Sequence, residues 1–403
     1  MKFIPCLFVV LLLTASCNKK TVTKKEFKKG TYGYDSTFLS KYDSTFIELT
    51  DESGTARVII SPVWQGRVMT STSTGVDGAS YGWLNYDLLT SGKKKKRFNP
   101  VGGEERLWLG PEGGQFSIYF AKGDSFNINK WQVPGIIDTI PYKTQTGSGA
   151  QAMFATEATF KNFSGYEFNI FIERRVRLLR LPETESLLGS KIPQGVQVVA
   201  YETHNRIENK SNVDWKKETG LLSIWLLGMM TPTDSTTVIL PFHPIANAQS
   251  LINSSYFGSI PSDRLTIKDS VLFFRCDGRY RSKIGLPPSI AKPMAASFDF
   301  SRNILTVIVF PVHEDEMYVN SKWEMQRDPY SGDVVNSYND GPLADGSQLG
   351  PFYELESSSP AKELKRAQSQ TYIQVTSHFE GDYEGLRELT KKLLGIDLNE
   401  LNK

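Results

Sequence analysis

Cysteine and histidine are both scarce in this chain of 403 residues. It has three cysteines, Cys6, Cys17 and Cys276, and four histidines, and no Cys/His spacing matches that of a zinc site. Lysine and arginine total 46 against 44 aspartates and glutamates, a net charge of +2. A chain this close to neutral lacks the strongly basic signature of nucleic-acid binding. We therefore expect no zinc centre and no nucleic-acid partner.

The N-terminal apolar run, Ile4 to Leu13, is too short to cross a bilayer as a helix. Lys2 precedes it, and Leu-Thr-Ala-Ser-Cys at 13–17 follows, which resembles the lipobox of bacterial lipoproteins. We expect residues 1–16 to be a signal peptide and Cys17 to be the lipidated first residue of the mature protein. The alternative is an ordinary secretory signal cut near Ala15.

Polar and basic residues follow Cys17, and they predict a flexible tether over residues 17–30. The sequence thus predicts a lipid-anchored protein of the bacterial cell envelope, facing the periplasm. If Cys17 carries lipid, Cys276 has no disulfide partner. We expect Cys276 to be a small core residue at the end of a buried strand.

Strand patterns dominate the remainder, where β-branched and aromatic residues alternate with polar ones. Strands follow strands without regular helical intervals, which is typical of antiparallel sandwiches. We predict an all-β fold, a large antiparallel β-sandwich, forming a single domain over residues 31–403. The predicted strands cover residues 46–49, 56–60, 66–71, 115–121, 155–162, 167–175, 196–206, 221–227, 238–240, 271–275, 304–312 and 372–378.

A short helix is predicted to close the chain. Asp382 is a candidate N-cap, leucines between Leu386 and Leu394 form one apolar stripe, and Gly395 is a candidate end. We expect this helix to pack on the surface of the sandwich.

The first cluster of candidate site residues surrounds a glycine-rich turn. Trp108, Glu112 and Gln115 lie within residues 106–115, and Trp131 follows shortly after. An aromatic face beside carboxylate and amide groups suits a sugar, which has apolar C–H faces and a polar rim. A structural turn with a core tryptophan is the alternative.

The second cluster is a polar, aromatic-rich segment over residues 318–342. A long loop of this composition is uncommon in a compact domain unless it is functional or disordered. Its candidate ligand-binding residues are Lys322, Trp323, Asn339 and Asp340. Its Asp and Asn side chains are also possible oxygen ligands of calcium, although the spacing does not match an EF-hand. We otherwise expect no cofactor.

The third cluster contains Glu354 and Glu356, which point to the same face if the segment is a strand. Two adjacent carboxylates raise one pKa, an arrangement often used in acid/base catalysis. On a solvated face the same pair has no such meaning.

Three motifs together resemble the galactose-mutarotase-like superfamily, whose members adopt a large β-sandwich called a supersandwich. Residues 64–69, which include Arg67, resemble the early Gly-Gly-Arg-Ile strand of aldose epimerases. Residues 205–211 resemble their central strand and turn. Leu355-Glu356 resembles the late Leu-Glu-Pro segment that carries the general base. Lipoproteins of this superfamily with Leu-Gly-Pro-Glu-Gly-Gly-Gln and Tyr-Asn-Asp-Gly-Pro motifs are more similar still.

One departure from that superfamily concerns the histidine that protonates the ring oxygen. The corresponding stretch, residues 221–228, has none. His204 is the candidate substitute, with His313 as a second. The missing histidine favours a carbohydrate-binding module on the envelope, whereas the carboxylate pair favours an enzyme. That enzyme is an aldose epimerase with Glu356 as base and a histidine or Lys322 as acid, or else a lyase or glycosidase. A scaffold with a degenerate pocket is the third hypothesis.

Overall fold

The computed structural model describes Met1 and residues 25–401, so most of the predicted signal peptide, Cys17 and the first part of the predicted tether lie outside the described residues. Within them the chain forms eighteen strands in three antiparallel sheets. The all-β prediction is confirmed, and so is the C-terminal helix.

The smallest sheet has three strands in chain order. They are β1 (Ile47–Thr50), β2 (Arg57–Ser61) and β3 (Arg67–Thr72). Ile59 pairs with Thr70 and Ile60 pairs with Val68, so Met69 is the extra residue of a bulge in β3. A short helix, α1 (Tyr32–Leu39), packs on this sheet through Tyr32 and Leu39.

The largest sheet has ten strands, in the order β11-β12-β10-β14-β15-β18-β8-β7-β6-β5. In two of its long strands, Glu167–Leu178 and Val196–Asn209, buried residues alternate with mostly partly exposed ones, so one face of the sheet is buried. Its strands are β5 (Lys143–Ser148), β6 (Gln151–Lys161), β7 (Glu167–Leu178), β8 (Val196–Asn209), β10 (Thr236–Pro241), β11 (Leu265–Ile267), β12 (Val271–Arg275), β14 (Met294–Asp299), β15 (Ile304–Val309) and β18 (Ser369–Gly381).

A five-stranded sheet, in the order β13-β16-β17-β9-β4, packs on the buried face of the ten-stranded sheet. Its strands are β4 (Arg106–Gly110), β9 (Ser223–Met230), β13 (Ser282–Leu286), β16 (Val335–Asn339) and β17 (Tyr353–Ser358). Hydrogen bonds join the two sheets, because Ser357 Oγ lies 2.7 Å from Gln374 Oε1 and the Tyr353 hydroxyl lies 2.8 Å from Ser297 Oγ. The other face of the five-stranded sheet is therefore left for loops to cover.

Helices are short and peripheral. The last helix, α5, begins after Asp382, whose side chain accepts a hydrogen bond from the Gly385 amide, and ends at Gly395 in a left-handed conformation. Its leucines pack on Leu305 and Phe379 of the ten-stranded sheet. No helix within residues 25–401 is long and apolar enough to span a bilayer. The remaining helices are α2 (Tyr86–Ser91), α3 (Leu181–Leu188), α4 (Ala248–Leu251) and the 3-10 turns Gly135–Ile137 and Leu398–Glu400.

Two local predictions are wrong. Residues 115–121 form turns and bends rather than a strand, since the glycines before them start a compact loop. The segment 318–342 is not one long loop, because β16 lies inside it as an inner strand of the five-stranded sheet. Cys276, in contrast, is buried as predicted, with its Sγ 3.9 Å from Ser337 Oγ.

Candidate functional site

The loop-covered face of the five-stranded sheet carries an unusual set of charged and aromatic side chains. Directly opposed residues of antiparallel strands point to the same side, so the register identifies this set. Trp108 on β4 opposes Trp225 on β9. On β17, Glu356 opposes Asn336 and Glu354 opposes Tyr338 of β16. Tyr338 also opposes Lys283 on β13. We call the following group the carboxylate–indole site: Trp108, Glu112, Trp131, Trp225, Lys283, Trp323, Glu354 and Glu356.

Glu356 is the centre of this site and is 1% exposed. Its Oε2 atom accepts hydrogen bonds from Lys283 Nζ at 2.8 Å and from Trp225 Nε1 at 3.0 Å. Its Oε1 atom is buried and has no hydrogen-bond partner among the residues described. One carboxylate oxygen is thus fixed by the protein, and the other is buried without a partner among the described residues.

Lys283 is a buried cation beside several carboxylates. Burial lowers its pKa, but the negative charges of Glu356 and Glu112 raise it by more, so that the pKa lies above its ordinary value. The ammonium group also lies 5.0 Å from the ring centre of Trp225. Lys283 therefore remains charged at neutral pH and compensates Glu356.

Glu354 has its own cationic partner, Arg106, whose Nη2 lies 2.9 Å from Glu354 Oε1. Burial nevertheless raises the pKa of Glu354 to about 7, Arg106 opposes this rise, and the charge of Glu356 adds to it. Arg106 also stacks over Trp108, with 4.5 Å between its guanidinium and the ring centre. Near neutral pH Glu354 can therefore hold or release a proton.

The aromatic part of the site comes from β4, β9 and two loops. Trp131 stacks on Trp323 with ring centres 5.9 Å apart, and Trp108 packs edge-on against Trp225 at 5.6 Å. The indole N–H group of Trp108 is buried without a hydrogen-bond partner among the described residues. The pKa of Glu112 lies above its ordinary value. Burial and the negative charge of Glu356 raise this pKa by more than Lys283 and the hydrogen bonds of the Trp323 and Trp131 indoles lower it.

A second loop closes the site around Lys283. The Tyr256 ring lies 5.6 Å from Lys283 Nζ, and its hydroxyl donates to Asp333. Asn336 donates to the same Asp333 carboxylate and to the Tyr256 hydroxyl. Burial raises the pKa of Asp333. Glu112, Trp323 and Lys283 are the partly exposed members of the carboxylate–indole site.

Two predicted ligand-binding residues border this site without entering it. Gln115 exchanges hydrogen bonds with the backbone of Gln326, at 3.0 and 3.1 Å, and so ties the glycine-rich loop to the segment that carries Trp323. Lys322 accepts a hydrogen bond from the Gln326 side chain through its backbone oxygen. Both residues position loops over the site.

Three further residues that were predicted to bind a ligand are buried and make hydrogen bonds to other groups of the protein. Arg67 is fully buried and donates to the Gly102 carbonyl at 2.8 Å; burial, and repulsion from Arg106, lower its pKa to about 9. Asn339 points to the opposite face of the sheet and bridges two backbone groups. Asp340 accepts from the Tyr338 hydroxyl and the Gly350 amide. The structure assigns them packing roles, which corrects their prediction as ligand contacts.

The structure also corrects His204. Its side chain lies on the outer face of the ten-stranded sheet, 2.7 Å from Glu202, while the adjacent Asn205 points inward to Arg174. Alternation along β8 therefore turns His204 away from Glu354 and Glu356. His313, the other candidate acid, is exposed.

Calcium remains a prediction without a located site. Asp333, Asn336, Asn339 and Asp340 all make hydrogen bonds within the protein. Within residues 25–401 no group of three His, Cys, Asp or Glu side chains is placed to hold a metal ion.

Sequence reasoning missed Lys283, Arg106 and Trp225. Lys283 lies in the short strand Ser-Lys-Ile-Gly-Leu, which carries no motif. Arg106 precedes Trp108 by two residues, and the β-strand period places both on one face; that spacing was a usable signal.

Solved structures with a similar fold share little sequence with this chain. A galactose mutarotase-like protein from Lactobacillus casei is 11% identical with a TM-score of 0.49, covering 83% of this chain and 99% of its own. The Slr1438 protein from Synechocystis is 13% identical with a TM-score of 0.48, covering 84% and 96%. A galactose mutarotase related enzyme from Lactobacillus acidophilus is 9% identical with a TM-score of 0.46, covering 83% and 97%.

Two of these three names belong to the superfamily that the sequence motifs resemble, and the likeness concerns the fold alone. No curated protein matches the chain. The family model of DUF6786, a family of unknown function, matches residues 30–403, and the chain therefore belongs to that family.

Proposed function

We propose that this protein binds a carbohydrate in the carboxylate–indole site. The observation that carries the proposal is the pair of buried polar atoms without partners among the described residues, Glu356 Oε1 and the indole N–H group of Trp108. Buried polar groups are nearly always hydrogen-bonded in native proteins, and leaving one unpaired costs about 1–3 kcal/mol. Sugar hydroxyl groups both donate and accept, so one ligand suits both atoms.

Aromatic residues supply the other half of the recognition. Trp323 is half-buried, and its ring stacks on the buried ring of Trp131. Indole rings pack well against the C–H faces of a pyranose, while carboxylates at the rim hold its hydroxyls. Glu354, whose pKa is raised to about 7, can donate as well as accept a hydrogen bond.

The test is a binding titration with a panel of neutral, acidic and amino monosaccharides, followed by tryptophan fluorescence and calorimetry. Glu356→Gln is expected to weaken binding of the best sugar at least tenfold. A neutral amide forms a weaker hydrogen bond with a sugar hydroxyl than an ionised carboxylate does. His204→Ala, altered on the outer face of the ten-stranded sheet, is the matched control and should bind normally. Absence of binding across sugars and oligosaccharides would refute the proposal.

A second candidate is an aldose epimerase, favoured by the unpaired Oε1 of Glu356 and by the pKa of Glu354 near 7. Glu356 would take the proton of the anomeric hydroxyl while Glu354 or Lys283 protonates the ring oxygen, so that the ring C–O bond breaks. Rotation about the C1–C2 bond and the reverse transfers then close the ring as the other anomer. The acid replaces the missing histidine with a group from the same sheet face.

Polarimetry separates binding from catalysis. Accelerated mutarotation that Glu356→Gln abolishes would establish the enzyme. An unchanged rate for several aldoses that the protein demonstrably binds would exclude it.

We also propose that Cys17 anchors the protein to the cell envelope, facing the periplasm, on the strength of the lipobox-like sequence at 13–17. Metabolic labelling with an alkyne fatty acid should mark the full chain and lose its signal in Cys17→Ser. Cys276→Ser is the matched control and should retain the label. A soluble, unlabelled wild type would refute the anchor.

A further inference from the structure

The loop that closes the carboxylate–indole site has a second, outward side. Tyr256 points inward to Lys283 and Asp333. The next residue, Phe257, is 45% exposed. Consecutive residues of one loop thus reach both the buried site and the protein surface.

Tyr338 connects these two sides. It opposes both Lys283 and Glu354 in the five-stranded sheet. Its ring meets Phe257 edge-on with 5.9 Å between ring centres, and its hydroxyl accepts a hydrogen bond from Arg281 Nε at 3.2 Å. Tyr338 therefore lies beside the buried site and also contacts an outer patch, which is formed by Phe257 and Arg281.

Arg281 differs from the arginines around it. Arg264, Arg275 and Arg279 each pair with an aspartate within 4 Å. The partners of Arg281 are the Tyr338 hydroxyl and the Phe257 ring, whose centre lies 3.9 Å from its guanidinium. In the described part of the chain none of its partners is a carboxylate. An arginine stacked on an exposed aromatic ring keeps its outer N–H groups oriented for a planar anion.

We infer that Phe257 and Arg281 form a second subsite, which binds an acidic sugar unit linked to the sugar held in the carboxylate–indole site. This inference rests on the proposed function. Phe257 provides the apolar platform for the ring, and Arg281 provides the counter-charge for its carboxylate. The ligand class is then an oligosaccharide that contains uronic acid rather than a free neutral monosaccharide.

The experiment compares matched ligands on the full-length protein. Short oligogalacturonates, oligoglucuronates and oligomannuronates are titrated beside their carboxyl-reduced neutral counterparts, with monosaccharides as a third arm. For the preferred backbone, the acidic oligomer should bind at least tenfold more tightly than the reduced one. Arg281→Gln should abolish that preference, and Phe257→Ala should weaken binding of both oligomers. Arg279→Gln removes a neighbouring guanidinium that Asp234 already pairs, and it should retain the preference.

The outcomes distinguish the two claims. Equal binding of acidic and reduced oligomers, or an acid preference that survives Arg281→Gln, overturns the subsite while the binding itself supports the proposed function. Binding of no sugar in any arm overturns both. Circular dichroism on each variant identifies any that fail to fold, and Arg281→Lys then tests the same charge with a smaller change.

Discussion

Lys283 and Glu356 form a buried ion pair across a strand that separates them. Their strands, β13 and β17, are not neighbours, because β16 lies between them, yet Nζ and Oε2 are 2.8 Å apart. Their side chains are 11% and 1% exposed. The long lysine stem thus spans the intervening strand and fixes one oxygen of the central carboxylate.

Loss of this lysine should destabilise the fold strongly. Lys283→Met leaves Glu356 buried without compensation, and breaking such a pair typically costs about 3–5 kcal/mol. The double variant Lys283→Met/Glu356→Leu should recover most of that loss, because no buried charge remains. Urea denaturation measures both. Lys191→Met is the control, since Lys191 pairs with Glu185 at the surface, and it should cost under about 1 kcal/mol. A Lys283→Met cost no larger than the control would contradict the argument.

Stability should fall as pH rises from about 4.5 to about 7. The pKa of Glu354 is raised from 4.5 to about 7 in the folded protein, so across this window the folded state binds more protons than the unfolded state. The contribution of Glu354 is therefore fully present below the unfolded pKa and is lost as pH rises through the folded pKa.

Denaturation midpoints of wild type and Glu354→Gln across this window provide the measurement. The amide that replaces the Glu354 carboxyl cannot bind a proton, so the denaturation midpoint of this variant should depend less on pH. Glu324→Gln, altered at an exposed position, should keep the wild-type slope. A slope that persists in Glu354→Gln would assign the proton uptake to another group.

The paired hydrogen bonds between Gln115 and Gln326 should hold the loops over the site together. Gln115→Ala removes both bonds, at about 0.5–1.5 kcal/mol each. Hydrogen exchange of the Gln326 amide should then accelerate roughly tenfold, because local opening becomes easier. Gln132→Ala, altered at an exposed side chain in the same region, should leave that exchange unchanged. Unchanged exchange in Gln115→Ala would show that other contacts hold the loop.

Gly285 should not tolerate a side chain. A Cβ atom there would lie 2.1 Å from Asp333 Oδ2 and 2.3 Å from Asn336 Nδ2, and Tyr256 restrains both groups. Gly285→Ala should therefore destabilise the protein by about 1–3 kcal/mol through overpacking and weaken ligand binding. At Gly135 the nearest atoms would be 3.4 Å away, so Gly135→Ala is the control in thermal unfolding. Equal melting temperatures for the two variants would contradict this prediction.

Local sequence patterns predicted some of the candidate site. Glu354 and Glu356 share a face because β-strands alternate with period two, and the structure places both on that face. Tryptophans near the glycine-rich turn were also identified, because large aromatics beside carboxylates are conspicuous in a sequence. Asp382 and Gly395 bound α5 as predicted, since capping depends on residues adjacent in the chain.

Alternation did not reveal which side of a strand faces the site. His204 and Asn205 are neighbours, and only the packing of the five-stranded sheet decides that Asn205 points inward and His204 outward. Arg67 and Asn339 were misassigned for the same reason, because burial and backbone partners come from distant segments.

Side-chain periodicity and local capping were sufficient to predict the strand-rich class, the C-terminal helix and the shared face of the two glutamates. Only the tertiary structure brought Lys283, Arg106 and Trp225 to those glutamates. Those contacts join residues up to 248 positions apart, and their pairing depends on strand order and register. No local pattern encodes either of these, because hydrogen-bonded strands can be distant in the sequence.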